Sequence, residues 1–444
     1  MRTSLTSGIL VAVLVLAAAP AFAGNLAVGP PGCTPNYTHF TTIQAAVNAA
    51  PLAGTTTIVV CPGIYTEQVQ IIGKKIILKG VSYGGSDAAI IAPPPGGLVA
   101  NASSTFPSYD SNGNPYIAYF EAMVLVQNTT ATIEDLTVDA TNNLTVCGQD
   151  PVGILYQNAD GTITRDNVLH VQVIGGFGCQ GGLGIYVESG STISNGPPNP
   201  SNEANSTVTI SYNNVQDYDK NGITANGTPA GPTSNVEVTI KYNTVIGAGA
   251  VPDNAQNGIQ LYGANGSITS NTIDGDWYTV PGTAATGILI LQSTAPLVQS
   301  NTISNTNVGI YLQSINPDDT DNATIKSNTI TATHEYDGIV LCANLSTATS
   351  NIINVADESG INVAACGDPA PTDTVYSNTI NGACAGILVA PPASGTTTPD
   401  TYYNVTTPVL TTSSDTCATP LVKKRGGSGP HRAIASPARR KLSQ

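Results

Sequence analysis

Charge is scarce in this chain: Asp, Glu, Lys and Arg make up 10% of its 444 residues, with 15 bases against 29 acids. Nucleic-acid surfaces need clustered bases, so DNA and RNA are excluded as partners of its acidic body. Histidine (4), methionine (2) and tryptophan (1) are equally sparse. With no clustered histidines and no C-x-x-C spacing, a structural zinc site is not expected. After the first 18 residues no run of eighteen apolar residues occurs, so no helical membrane span is expected. Helical periodicity is missing as well, apart from one short segment near the start.

Glycine, asparagine and β-branched residues recur instead in a fixed rhythm. Gly-Ile pairs stand at Gly153, Gly184, Gly222, Gly258, Gly287, Gly309, Gly338, Gly360 and Gly386. Between them runs a second pulse, Asn followed two residues later by Ile or Val, at Asn243, Asn271, Asn301, Asn328, Asn351 and Asn378. Short β-rich runs repeating within 20 to 50 residues signal a solenoid, because one such unit buries no core alone whereas a stack does. From Asn328 a coil reads as a strand over 329–331, a loop to 337, a strand over 338–341, and a third strand ending at Asn351. This pattern resembles the right-handed parallel β-helix of pectin-lyase-like proteins. The resemblance implies an all-β solenoid of three-stranded coils with an inward Asn at one turn, which we expect in left-handed conformation.

Segment 41–51, TTIQAAVNAAP, places Ile43, Ala46, Val47 and Ala50 on one face, with Thr41 or Thr42 available as N-cap. It predicts a helix that caps the N-terminal end of the solenoid and shields its strand edges. The following Val60-Cys61-Pro62-Gly63-Ile64-Tyr65-Thr66-Glu67-Gln68-Val69 is similar to the opening of pectin methylesterases. The catalytic motifs of that family are not found, nor are those of polygalacturonases or alginate epimerases.

Residues 1–23, with Arg2, an apolar run and Ala21-Phe22-Ala23, read as an export signal. Residues 24–420 are expected to form the β-helix domain and 421–444 a basic disordered tail, since seven of the bases follow residue 422 and every acid precedes residue 416. The expected location is therefore secreted, periplasmic or at the cell surface, and the expected state a monomer.

By alternation, the residues facing out from the Gly-Ile strands are Tyr186, Thr224, Gln260, Leu289, Tyr311, Val340 and Asn362, then Glu188, Asn226, Tyr262, Leu291, Gln313, Cys342 and Ala364. The resemblance implies that substrate lies over this face. It offers one carboxylate and no base, poor equipment for acid–base chemistry on sugars. Charged and aromatic residues gather in the preceding loops, and Asp217, Asp219, Lys220, Asp274, Asp276, Trp277, Tyr311, His334 and Asp337 are the expected substrate-binding residues. They are expected to form an acidic, aromatic wall in which paired acids hold Ca²⁺, the one cofactor considered.

The expected role is an exported protein that binds or acts on extracellular polysaccharide, with no catalytic residue assigned. A pectin-active enzyme of esterase or lyase type and a structural or adhesive surface protein are the alternatives. Eight cysteines in an exported chain predict four disulfides, paired as Cys33–Cys61, Cys147–Cys179, Cys342–Cys366 and Cys384–Cys417. Thiol titration of denatured, unreduced protein should accordingly find no free thiol; two or more per chain would contradict this framework.

Overall fold

The computed structural model describes residues 25–83, 86–109, 115–174, 179–190, 205–227, 234–313, 322–365, 371–397 and 399–412. The expected export signal, the basic tail, Cys366 and Cys417 lie outside the described residues.

Three long parallel sheets of 14, 13 and 12 strands run side by side along the chain. One coil shows how they are made. Strand Thr244–Val251 belongs to the twelve-stranded sheet, Asn257–Tyr262 to the thirteen-stranded sheet and Asn265–Thr269 to the fourteen-stranded sheet, and the next coil begins at Thr272. The isoleucine after each glycine pairs in register with that of the next coil, from Ile223 through Ile259, Ile288, Ile310, Ile339 and Ile361 to Ile387. All of these are buried. Coil stacking thus turns a sequence period into a continuous apolar column.

The two sequence pulses interlock. A Cβ added at Gly258 would stand 2.5 Å from Ile273 Cγ2 and 2.7 Å from Gly287 O, and Gly287, Gly309 and Gly338 face Ile303, Ile330 and Ile353 in the same way. Glycine is required here by close approach, because the β-branched residue two places after each Asn fills the space a side chain would need.

The asparagines form a ladder. Asn301 Oδ1 accepts from both the backbone N–H (2.9 Å) and Nδ2 (3.0 Å) of Asn271, while Asn301 Nδ2 donates to Ile268 O (2.9 Å) and to Asn328 Oδ1 (3.0 Å). The same bonds repeat from Asn213 through Asn243, Asn271, Asn301, Asn328 and Asn351 to Asn378. Asp400 ends the series, accepting from Asn378 N at 2.7 Å and Nδ2 at 2.9 Å. One expectation is corrected: the left-handed residue is the one before each Asn, namely Tyr212, Tyr242, Ser270, Ser300, Ser327, Ser350 and Ser377, with φ between 55° and 59°. That residue makes the tight turn, which leaves the Asn free to point inward.

Helix Ile43–Ala49 forms with Thr42 as N-cap and buries Ile43, Ala46 and Val47. Glu67 of the first-coil motif accepts the Ile43 and Gln44 amides at 2.8 Å each, satisfying donors that every helix start leaves open. Disulfides join Cys33 to Cys61 and Cys147 to Cys179, and Cys342 and Cys384 are also disulfide-bonded. Among the described residues no helix is long and apolar enough to cross a membrane.

Replacing Asn301 with Ala strands two donors of Asn271 and the carbonyl of Ile268. At about 1–3 kcal/mol per buried group left unpaired, the loss should exceed about 3 kcal/mol in denaturant unfolding. Ser300→Gly, which relaxes the left-handed turn, should cost nothing. Equal losses in both variants would refute the ladder's role.

Candidate functional site: the outer face of the thirteen-stranded sheet

The face expected to floor an open groove is covered. Tyr186, Thr224, Gln260, Tyr311 and Val340 in one outward row, and Glu188, Asn226, Leu291, Gln313 and Cys342 in the next, are buried. Part of the cover is an antiparallel hairpin, Ala102–Tyr109 with Pro115–Gln127, whose second strand joins the sheet. Ser103 O accepts from Gln157 Nε2 at 2.8 Å, and the hydroxyls of Ser104 and Thr105 together with the Thr105 amide bond Glu188 Oε1. Phe120 packs edge-on against Tyr186, ring centroids 5.3 Å apart.

Two apolar clusters occupy this face, one around Leu125, Leu155 and Tyr186, the other around Val308, Tyr311 and Val340. Between them lies a polar band of Asn221, Thr224, Asn226, Asn257, Gln260 and Thr286, each less than a tenth exposed. Its amides bond one another: Asn257 Nδ2 donates to Asn221 Oδ1 (3.0 Å), Thr286 Oγ1 to Asn257 Oδ1 (2.6 Å), and Asn226 Nδ2 to the Tyr186 hydroxyl (2.8 Å). Two buried atoms on the strand Asn221–Asn226 nevertheless make no hydrogen bond with the described residues: Thr224 Oγ1 and Asn226 Oδ1. Burial pushes the Glu188 carboxyl above the usual range, against the Thr105, Tyr186 and Ser104 donors that pull it down. Buried polar groups left without a protein partner are costly unless water or a ligand meets them.

The loop residues singled out from the sequence are dispersed. Asp276 is fully buried and accepts from the Tyr218 hydroxyl at 2.7 Å, with its carboxyl pushed far up by burial. Asp217 faces His170 Nε2 at 3.4 Å, and His170 Nδ1 faces Asp139 at 2.9 Å. Asp219 accepts the Val173 amide (2.6 Å), and Asp274 accepts from Ser304 (2.6 Å) and Asn305 (2.7 Å). Asp337 is buried and takes the amide and hydroxyl of Ser359 and Nδ2 of Asn362. Lys220 Nζ donates to Ala255 O at 2.8 Å, and burial lowers the amine to about 8. Tyr311 lies within the second apolar cluster. Only Trp277 and His334 come together, stacked at 3.8 Å and 11°, with burial lowering the imidazole.

Among the described residues no group of three or more His, Cys, Asp or Glu side chains is placed to hold a metal ion. Missed in the sequence was the pairing of Glu121 with Asp150. Burial and the neighbouring Glu121 push Asp150 up to about 7, and Glu121, bonded by Thr145 Oγ1 at 2.6 Å, is also raised by burial. The available signal was position: Asp150 precedes a Gly-Ile pair, as Lys220 does.

Raised carboxyls set a direction for stability. A group whose pKa is higher folded than unfolded stabilises fully below its unfolded pKa, and that contribution is lost as pH rises through the folded value. Asp276→Asn keeps the acceptor for Tyr218 and removes the ionisation. Its melting temperature should exceed that of the native chain by more at pH 8 than at pH 5; an equal shift at both would contradict a protonated, buried Asp276.

Comparison with known proteins agrees with this architecture. The family model described as "Right handed beta helix region" matches residues 201–380. Among solved structures, the GH136 lacto-N-biosidase from Eubacterium ramulus is similar at a TM-score of 0.56 and 13% identity, covering 87% of this chain and 67% of that one. The Dettilon tailspike protein is similar at a TM-score of 0.54 and 16% identity, covering 84% of this chain and 65% of that one. The chain thus spans about two thirds of the length of these structures. No curated protein sequence matches it. Three parallel sheets wound coil upon coil, together with the family match over residues 201–380, give the chain the fold of a right-handed parallel β-helix.

Proposed function

We propose that this is an exported protein that binds extracellular polysaccharide through the polar band of the thirteen-stranded sheet. The observation that carries the reading is the pair of buried atoms Thr224 Oγ1 and Asn226 Oδ1, unpaired on one strand beside the Glu188 carboxyl of the neighbouring strand. Asn226 Oδ1 is an obligate acceptor, and Thr224 Oγ1 accepts or donates. Sugar hydroxyls supply such donors in quantity. The outward rows offer amides, hydroxyls and one carboxyl with no Lys or Arg, which suits uncharged sugars and opposes polyuronates.

Disulfides at Cys33–Cys61 and Cys147–Cys179 support export to an oxidising compartment. The lacto-N-biosidase and the tailspike share the scaffold and leave the sugar open. A pectin-active enzyme would need a basic residue on the face, which the outward rows do not offer. The helix Ile43–Ala49 has, in this reading, the task of closing the N-terminal end of the stack.

Thr224→Val separates function from structure. Removing a buried hydroxyl that bonds nothing should leave the melting temperature equal or higher, while affinity for a neutral polysaccharide falls roughly 5-fold, the value of about one hydrogen bond. Affinity electrophoresis against neutral and uronic polysaccharides tests this. Unchanged mobility of Thr224→Val in every gel that retards the native protein would end the proposal.

A further inference from the structure

A second surface stands at the corner between the fourteen- and twelve-stranded sheets, the one corner of each coil that the thirteen-stranded sheet does not adjoin. The left-handed turn residues line up there, coil after coil: Asp135, Arg165, Tyr212, Tyr242, then Ser270, Ser300, Ser327, Ser350 and Ser377. Serine suits an exposed turn, and five successive coils use it. Tyrosine does not, because left-handed backbone crowds a bulky side chain. Tyr212 and Tyr242 nonetheless adopt it at φ 59° and 58°.

Their rings stack at 4.9 Å and 18°, and they remain 57% and 49% exposed. Neither hydroxyl makes a hydrogen bond with any described residue. On one side the row continues into Arg165, which is ion-paired with Glu134 and Asp135. On the other side it continues into Ser270, too small to extend the stack. An aromatic step therefore opens onto a strip of hydroxyls repeating once per coil, about 4.8 Å apart, with Lys241 and Lys326 beside it in the adjoining strands.

We propose that Tyr212 and Tyr242 form a second polysaccharide-docking ridge, with a sugar ring packed on the tyrosine step and its chain running along the serine row. Sugar rings match both parts: their apolar C–H faces stack on aromatic rings, and their hydroxyls meet the serines. A protein partner would look for apolar area that the serine row does not supply. The ridge does not rest on the covered polar band. If both surfaces act, one chain engages polysaccharide at two places, and avidity follows from the second contact being intramolecular.

The test substitutes what the other coils already carry. Tyr212→Ser with Tyr242→Ser should fold, with a melting temperature equal to or above the native value. Its retardation in gels containing hydroxyethylcellulose, galactomannan, arabinoxylan or polygalacturonate should weaken roughly five- to ten-fold in whichever gels retard the native chain. Thr224→Val run in the same gels reports the polar band separately. Loss in Thr224→Val alone would overturn the ridge and leave the band standing; loss in the double variant alone would support the ridge and count against the band. Failure of all four gels to retard the native protein would overturn the ridge as well.

Discussion

From Asn243 to Asn378 each inward asparagine has two acceptor and two donor positions, and the stack fills them all. Its Oδ1 receives the backbone N–H and side-chain amide of the coil before; its Nδ2 returns one bond to that coil's strand and passes one to the next Asn. Glutamine would overshoot, and aspartate lacks the donors, which is why Asp400 appears only where the ladder stops. Because the Asn fixes the turn, the β-branched residue two positions on reaches the glycine of the Gly-Ile strand, and that contact sets the width of the coil. Sheet spacing, core packing and the outward rows all follow from this arrangement.

With the interior dominated by aliphatic side chains and threaded by the Asn ladder, chemistry is displaced to the outside. One outward face, that of the thirteen-stranded sheet, is itself covered and so acts as a second interior. Apolar clusters at both ends satisfy that burial, whereas the polar band between them is only partly satisfied. Low dielectric strengthens any bond formed there and makes every unpaired atom costly. Burial accordingly pushes the Glu188 carboxyl on this face above its usual range, as it does Asp276 in the twelve-stranded sheet.

The fold was legible because its causes are periodic. Gly258 and Asn271 each recur at coil spacing, and the structure returns both as interlocking columns. Which turn residue takes the left-handed conformation was misread because Asn tolerates it by itself; only the ladder, a contact between residues 23 to 30 positions apart, shows that the preceding Ser or Tyr must take it. The outward rows were also legible by alternation, but their burial was not: at Tyr186 and Glu188 it comes from the hairpin Ala102–Gln127, which folds back onto coils distant in sequence. The same limit explains the loop residues. Asp276 and Asp337 lie in polar stretches and read as exposed, yet each turns inward to a specific donor, Tyr218 or Ser359, that no local pattern announces.

The central claim is that the polar band meets sugar hydroxyls at Thr224, Asn226 and Glu188. A crystal structure of the protein with an oligosaccharide from any polysaccharide that retards it addresses this directly. The account predicts sugar oxygens within hydrogen-bond distance of Thr224 Oγ1 and Asn226 Oδ1, beneath or displacing the Ala102–Tyr109 strand. A sugar bound with those two atoms still unpaired and the face still closed would contradict it.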